Sequence, residues 1–289
     1  MRRHPQIGSY SSSLIVLENG TTYQFFWHKP KYGINSIAKE EYYGALSQGA
    51  PLPGVPKFTN VEVQRQYMLN HMTGAFRAFA RHGLIEGMAG HISLRDLEFP
   101  NLFWTNPLGL HFALIAPSDL ILVDEEGNAV GGNTSRPANA AGFLIHGALH
   151  KARPDVNQRA IPLNLRQGLA QSVYEEFGGV ALKEESVALA KCLGKQGKGM
   201  ILRNHGLLTV GATVDEAAYL FLLMEKSCQI QLATDAAAAM GRKKAFIDDE
   251  AARFAFENTS DPDRDSLYAD FQVYLQYESA VSHDGYKAQ

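Results

Sequence analysis

The 289-residue chain has little cysteine, no cluster of positive charge and no long apolar run. Its two cysteines, Cys192 and Cys228, both lie in helix-like runs, so two reduced, buried thiols explain them better than a disulfide or a metal site. Few cysteines, both expected to be reduced, favour a cytoplasmic protein. The net charge of −3, without a Lys/Arg cluster, argues against a nucleic-acid partner. No apolar run is long enough to span a bilayer, so we expect no membrane partner.

Changes in composition along the chain predict its domains. Residues 1–50 are rich in Tyr and Ser, and Asn19-Gly20 between two strand-like runs predicts a hairpin in this N-terminal extension. Residues 51–57 contain repeated prolines and are predicted to be a linker. Residues 58–241 are predicted to form the main domain. Residues 242–289 form a charged, aromatic tail, which we interpret as a candidate oligomer contact.

The main domain is predicted to intersperse helices and strands, with more antiparallel than parallel pairing. Capping boxes begin at Thr59 and Thr213, and Pro137 is well placed in the first turn of a helix. The predicted helices cover residues 60–83, 137–152, 166–177, 183–195 and 213–241, and the predicted strands cover 90–94, 102–105, 120–123, 200–202 and 207–210.

Five separated segments, in order, resemble the class II aldolase/adducin family. They are Gly90-His91-Ile92-Ser93, the Asn-Pro-Leu-Gly turn at 106–109, the Pro-Ser-Asp-Leu segment at 117–124, Ala-Arg-Pro-Asp-Val at 152–156 and Arg-Asn-His-Gly at 203–206. The Gly-His-Ile-Ser form is similar to the adducin-like branch. The resemblance implies an α/β, three-layer fold, with a largely antiparallel central sheet flanked by helices. It also implies a homo-oligomer.

The resemblance also implies metal-assisted cleavage of a C–C bond, in which zinc stabilises the carbanion. In the family, three histidines hold the metal, and His205 corresponds to one of them. The other two form a His-x-His pair, which occurs nowhere in this sequence. Catalytic zinc sites normally take three protein ligands, so zinc or another divalent metal would need replacement ligands here. His146 and His150, spaced i, i+4, are further candidates; the alternative is that His146 packs in the core and His150 lies near the helix C-terminus.

The segment that carries the pair in relatives is shortened here, between Asn157 and Tyr174. Ile161, Leu163 and Leu165 alternate with other residues and are predicted to form a short substitute strand. A mis-spliced gene model is an alternative explanation.

Several pocket positions differ from those of the phosphosugar aldolases. Aligning this chain with those enzymes at Ala-Arg-Pro-Asp-Val places Gly142 where they have the catalytic Glu. The same alignment places Ala140 and Ala141 where they have phosphate-binding serines. Leu108 replaces the Thr of their phosphate turn. Because alanine and leucine side chains cannot donate to a phosphate, the resemblance implies a substrate without one. The predicted substrate-binding residues are His91, Ser93 and Gly109.

The expected function is a class II aldolase-like lyase that acts on a small, non-phosphorylated hydroxy or keto compound. The alternatives are a non-catalytic, adducin-like binding or assembly protein and a degraded enzyme without activity. The expected partner is accordingly a small-molecule substrate or another protein. No catalytic acid/base is identified by sequence alone.

Overall fold

The chain folds into a mixed α/β structure in which helices flank an eight-stranded sheet, as the computed structural model shows. The described residues are 15–17, 21–23, 54–153, 158–160, 171–175, 183–195, 197–245 and 266–287. Their helices are α1 (Val61–Arg81), α2 (Ala140–Ala152), α3 (Lys183–Leu193), α4 (Val214–Ala239) and α5 (Ser266–Ser282). Their strands are β1 (Ile15–Leu17), β2 (Thr21–Tyr23), β3 (Ile92–Arg95), β4 (Phe103–Thr105), β5 (Ile121–Val123), β6 (Ala129–Gly132), β7 (Gln158–Ala160), β8 (Gln171–Tyr174), β9 (Gly199–Leu202) and β10 (Gly206–Gly211).

The sheet has the strand order β6-β5-β4-β3-β7-β10-β9-β8. All neighbouring strands are antiparallel except β8 and β9, which run parallel. The predicted, largely antiparallel sheet with flanking helices is therefore confirmed. The strands β1 and β2 form a separate antiparallel pair at the predicted hairpin, with Ile15 opposite Tyr23. The predicted domain boundaries stay predictions.

Helices cover both faces of the sheet because successive strand side chains alternate in direction. Ile92 and Leu94 of β3 belong to a core cluster with α1, α4 and α5. Ser93, between them, contacts α2. Met200 and Leu208, from β9 and β10, pack in a second cluster with α2 and α3. The sheet thus separates two helical layers, and β3 can present a polar residue to α2 while its neighbours fill the opposite core.

The structure corrects one prediction around the shortened segment and shows how the centre of the sheet is completed. The interior strand is formed by β7 at 158–160, which pairs with both β3 and β10, so the centre of the sheet is filled. The substitute strand predicted from Ile161, Leu163 and Leu165 lies outside the described residues. Part of the helix predicted at 166–177 is instead the strand β8. Its backbone groups are satisfied by pairing with β9, which a local helical pattern cannot reveal.

The helix ends show which local signals the fold uses. Asn60 caps α1, not Thr59 as predicted, because its side-chain oxygen accepts the Val63 N–H at 3.0 Å. Thr213 caps α4 as predicted. The helix predicted from Pro137 begins at Ala140, since the Pro137 carbonyl accepts the Leu108 N–H and is held in the preceding loop.

The C-terminal helix packs within its own chain. Phe271 and Leu275 of α5 are buried in the same cluster as α1 and α4. A role of residues 242–289 as an oligomer contact stays a prediction. No helix of the described residues is long and apolar enough to cross a membrane.

Both cysteines are unbridged and half-buried, as the sequence predicts for reduced thiols. Burial raises the pKa of the Cys228 thiol to about 12, so it stays protonated at neutral pH.

Candidate functional site

The fold brings four of the predicted site residues together into one buried group. Ser93 points from β3 towards α2, where His146 and His150 lie one turn apart on the same helix face. His91 precedes the strand, and its ring centroid is 4.5 Å from that of His146. We call His91, Ser93, His146 and His150 the histidine cluster. The sequence predicted these residues separately, for two different roles.

Ser93 joins the two helix histidines through one oxygen. Its hydroxyl lies 2.9 Å from Nε2 of His150 and also contacts Nδ1 of His146. A serine hydroxyl has one proton to donate, so at least one of the two facing ring nitrogens must carry a proton. Phe103 stacks on His150 with ring centroids 4.5 Å apart, which helps to fix the ring orientation. The arrangement therefore restricts the tautomers of both histidines.

His91 lies against the backbone of α2 at Gly142. A Cβ atom at Gly142 would be 2.4 Å from Cε1 of His91, so only glycine leaves room for the ring. Both ring nitrogens are buried and make no hydrogen bond within the described part of the chain. Burial, with a smaller contribution from His205, lowers the pKa of His91 to about 4. His91 is therefore neutral at physiological pH.

His205 lies in the turn between β9 and β10. Asn204 adopts a left-handed conformation with φ of 57°, and the His205 N–H donates to the Leu202 carbonyl at 3.0 Å. The imidazole is partly exposed; desolvation lowers its pKa, while Glu185 of α3 opposes the shift.

Gly109 lies near the amino end of α2, whereas Ser93 meets His146 and His150 farther along the helix. Its φ of +77° favours glycine, and its carbonyl accepts from Arg136 at 3.3 Å. The backbone N–H of Leu108, in the same turn, donates to Pro137 at 2.8 Å. At the helix start, the Gly142 N–H donates to Asn139 at 3.0 Å. Both N–H groups are thus already engaged and not available to a phosphate.

The described residues do not fit a divalent metal. No three His, Cys, Asp or Glu side chains among them converge closely enough to hold one. In the histidine cluster, the facing nitrogens of His146 and His150 converge on the Ser93 hydroxyl instead. The assignment of zinc to His205, with His146 and His150 as further candidates, stays a prediction.

Two other histidines lie outside the cluster. His71 is buried, and its Nδ1 lies 2.7 Å from Oδ1 of Asp215. His111 is exposed and accepts the Ala113 N–H at the start of a short 3-10 helix. The contact of His71 with Asp215 is not visible from spacing, because the two residues lie 144 positions apart. A glycine inside a predicted helix was the one available signal for close packing at Gly142.

The comparisons with known proteins agree with this architecture. The Class II Aldolase and Adducin N-terminal domain matches residues 70–158 and 164–232, more than half of the chain, and the match breaks within β7. The chain is 38% identical over 255 residues to the Meiotically up-regulated gene 14 protein of Schizosaccharomyces pombe, covering 81% of this chain and 97% of that protein. It is 37% identical to the Decarboxylase NovR of Streptomyces niveus, covering 63% of this chain and 75% of that protein.

A solved structure extends the similarity to three dimensions. The L-fuculose 1-phosphate aldolase from Glaciozyma antarctica PI12 superposes with a TM-score of 0.71 at 34% identity, covering 81% of this chain and 97% of that chain. The fold, the family match and these relatives agree, and we conclude that the chain belongs to the class II aldolase and adducin N-terminal domain family.

Proposed function

We propose that this chain is a carbon–carbon lyase for a small hydroxy or keto compound without a phosphate group. Family membership supports the reaction class, since one relative is named an aldolase and another a decarboxylase. Both reactions break a C–C bond and leave a carbanion that must be protonated. The observation that carries the proposal is the neutral, buried imidazole of His91 against Gly142.

His91 can accept and return a proton. With a pKa of about 4 its ring is neutral and only weakly basic at pH 7, so a proton that it accepts is readily given back. Both ring nitrogens are buried, so this role requires the substrate to displace the groups that cover them. The close backbone of Gly142 restrains the ring, so little reorganisation is needed during the transfer. Ser93, through His146, supports the adjacent ring without contacting the reacting atoms.

The amino end of α2 supports a substrate without phosphate. Helix N-termini bind phosphate through unsatisfied backbone N–H groups. Here Asn139 takes the Gly142 N–H, and Pro137 takes the Leu108 N–H. The side chains of Ala140 and Leu108 offer no donor in their place. A neutral or carboxylate-bearing substrate is therefore favoured over a phosphosugar.

A divalent metal, if bound, would stabilise the carbanion as a Lewis acid. By the family resemblance, its expected ligand in this chain is His205. The described residues do not complete a coordination sphere around it. His91 and Ser93 would keep their proposed roles whichever groups complete the coordination of the metal.

The proposal is tested by combining a metal assay with a substrate panel. Protein purified without chelator would be analysed for bound metal and assayed with non-phosphorylated hydroxy and keto acids beside phosphosugars. We expect turnover of the first group, and His91→Gln should lower kcat by about 100-fold or more, the usual loss for a general acid/base. His111→Asn, an exposed histidine whose capping bond asparagine can replace, is the control. Preference for phosphosugars, or an unchanged kcat in His91→Gln, would contradict the proposal.

A non-catalytic, adducin-like binding protein is the second candidate. It is favoured by the lack of a three-ligand metal group in the described residues. It predicts a folded oligomer with no turnover across the panel, with or without added zinc. Turnover that a chelator abolishes would eliminate this candidate.

A further inference from the structure

A cleft lies between α1, α4 and α5, on the opposite side of the sheet from the histidine cluster. Its volume is about 370 Å³, enough for a small molecule. Its lining residues include Phe58, Tyr67, His71, Asp215 and Tyr268. We call this the aromatic cleft. No part of the proposed lyase reaction uses it.

One wall of the aromatic cleft is a continuous series of rings. The ring centroids of Phe58 and Tyr67 are 4.9 Å apart, and those of Tyr67 and His71 are 3.9 Å apart. Tyr268 extends the series, with its hydroxyl 2.6 Å from that of Tyr67. Aromatic faces carry negative electrostatic potential and attract cations, most strongly when the cation is desolvated. Burial raises the pKa of Tyr67, as do Tyr268 and Asp215, so the phenol stays uncharged.

Asp215 places a buried carboxylate beside this wall. Only 3% of the residue is exposed. Its Oδ1 accepts from Nδ1 of His71 at 2.7 Å and from Gln272 at 2.8 Å. Within the described part of the chain, no hydrogen bond reaches its Oδ2 or Nε2 of His71. In an imidazole that carries its proton on Nδ1, Nε2 keeps a lone pair, so Nε2 of His71 and Oδ2 of Asp215 can both accept from a ligand. Arg95 also lines the cleft, and its buried Nε makes no hydrogen bond within the described residues.

The arginines beside the aromatic cleft are engaged elsewhere. Arg65 binds Asp96 at 2.8 Å and also contacts Glu98. Arg95 donates to the His150 carbonyl at 2.8 Å and lies over the Phe103 ring, towards the other side of the sheet. Neither guanidinium pairs with Asp215. The partners of Asp215 among the described residues are His71 and Gln272, both on Oδ1, so its Oδ2 can accept from a positively charged ligand.

We propose that the aromatic cleft binds a small organic cation, namely a protonated amine carried on an apolar or aromatic group. The ammonium lies against the faces of Tyr67 and Phe58 and donates to Asp215 and His71. An ammonium has donors but no acceptors, which matches a site that offers acceptors and aromatic faces.

The test compares three probes of similar shape and different charge, namely benzylamine, benzyl alcohol and benzoate. Binding would be measured by ligand-observed NMR and calorimetry at about pH 8, where an ordinary imidazole is neutral and an alkylammonium is charged. We expect benzylamine to bind at least about tenfold more tightly than benzyl alcohol, and benzoate not to bind detectably. The proposal is overturned if either of the other probes binds as tightly as benzylamine, or if benzylamine does not bind.

Variants locate the binding. Asp215→Asn should weaken benzylamine at least about tenfold, since it removes the charge at nearly constant size. Tyr67→Phe keeps the ring and should retain most of the affinity. Glu126→Gln, an exposed carboxylate in the β5–β6 turn, is the matched control and should change nothing. Unchanged affinity in folded Asp215→Asn would also overturn the proposal.

Asp215→Asn removes a buried network and could unfold the protein, so a second variant is needed. Phe58→Leu changes a half-buried ring and should weaken benzylamine about threefold or more, with benzyl alcohol affected less. If both probes weaken equally, the ring has no cation-specific role and the proposal fails. These outcomes are independent of lyase turnover.

Discussion

At the scale of single residues, the charge of His91 is set by burial and not by an acidic partner. Its ring nitrogens are enclosed and have no hydrogen-bonding partner in the described residues. Desolvation penalises the imidazolium, and His205 adds to this effect. The sequence identified His91 as a substrate-binding candidate through the Gly-His-Ile-Ser segment, but nothing in that segment predicts a depressed pKa. The pKa follows from the approach of α2.

The low pKa of His91 predicts a pH-dependent loss of stability. The folded pKa is about 4 and the ordinary value is 6.5, so the unfolded chain binds the proton more readily between these values. The contribution to stability is therefore complete above about pH 6.5 and falls by about 3 kcal/mol as the pH drops to about 4. Urea unfolding of the wild type and of His91→Gln at several pH values would measure it. Parallel pH profiles for the two proteins would contradict the prediction.

At the scale of secondary-structure elements, α2 is the helix that organises the candidate site. Its start is held by Asn139, and its inner face presents His146 and His150 to Ser93 of β3. Gly142 lets the ring of His91 approach the helix backbone. The i, i+4 spacing predicted that the two helix histidines share a face. It did not predict that a serine hydroxyl, and not a metal, lies between them.

The contact of His91 with Gly142 predicts a coupling between the two positions. Gly142→Ala should destabilise the protein by about 1–2 kcal/mol, because overpacking outweighs the better helix propensity of alanine. In a His91→Ala background the clash is gone, and Gly142→Ala should be neutral or stabilising by up to about 1 kcal/mol. A double-mutant cycle from denaturant unfolding measures the difference. Additive effects would show that the ring does not lie on Gly142.

At the scale of the whole molecule, α5 connects the end of the chain with α1 and α4. Phe271 and Leu275 are buried in the largest core cluster, and the ring of Tyr286 approaches Gly74 of α1. Glu278, which is 1% exposed, pairs with Arg81 near the end of α1. The C-terminal helix is therefore part of the folded core of this chain, and its loss would expose the helical layer above the sheet.

This packing predicts very different costs for two truncations on the same helix. Leu275→Ala should destabilise the protein by about 2–5 kcal/mol, because Leu275 is 3% exposed and its removal leaves a cavity. Val273→Ala, at a position that is 65% exposed, is the control and should change stability by no more than about 0.5 kcal/mol. Thermal and urea unfolding would measure both. Equal effects would mean that α5 is not anchored as described.

The sequence by itself determined the elements with strong local signals. The cap at Thr213, the apolar faces of α1 and α4, and the strands at β3, β4, β5, β9 and β10 were all predicted, because capping and periodicity act between residues close in the chain. The five segments that resemble the family also predicted the fold, because each is a pattern of residues close together in the chain. The lack of hydrogen-bond donors in the side chains of Ala140 and Leu108 was also readable from residue type.

Only the tertiary structure decided how these elements meet. Periodicity reports which face of a helix or strand is buried, but not which side chain of another element it contacts. The interior position of β7 depends on pairing with two strands distant in sequence, β3 and β10. The contact of His91 with Gly142, the shared oxygen of Ser93 and the bond between His71 and Asp215 are likewise long-range contacts. Their chemistry comes from burial and proximity, which exist only after the chain has folded.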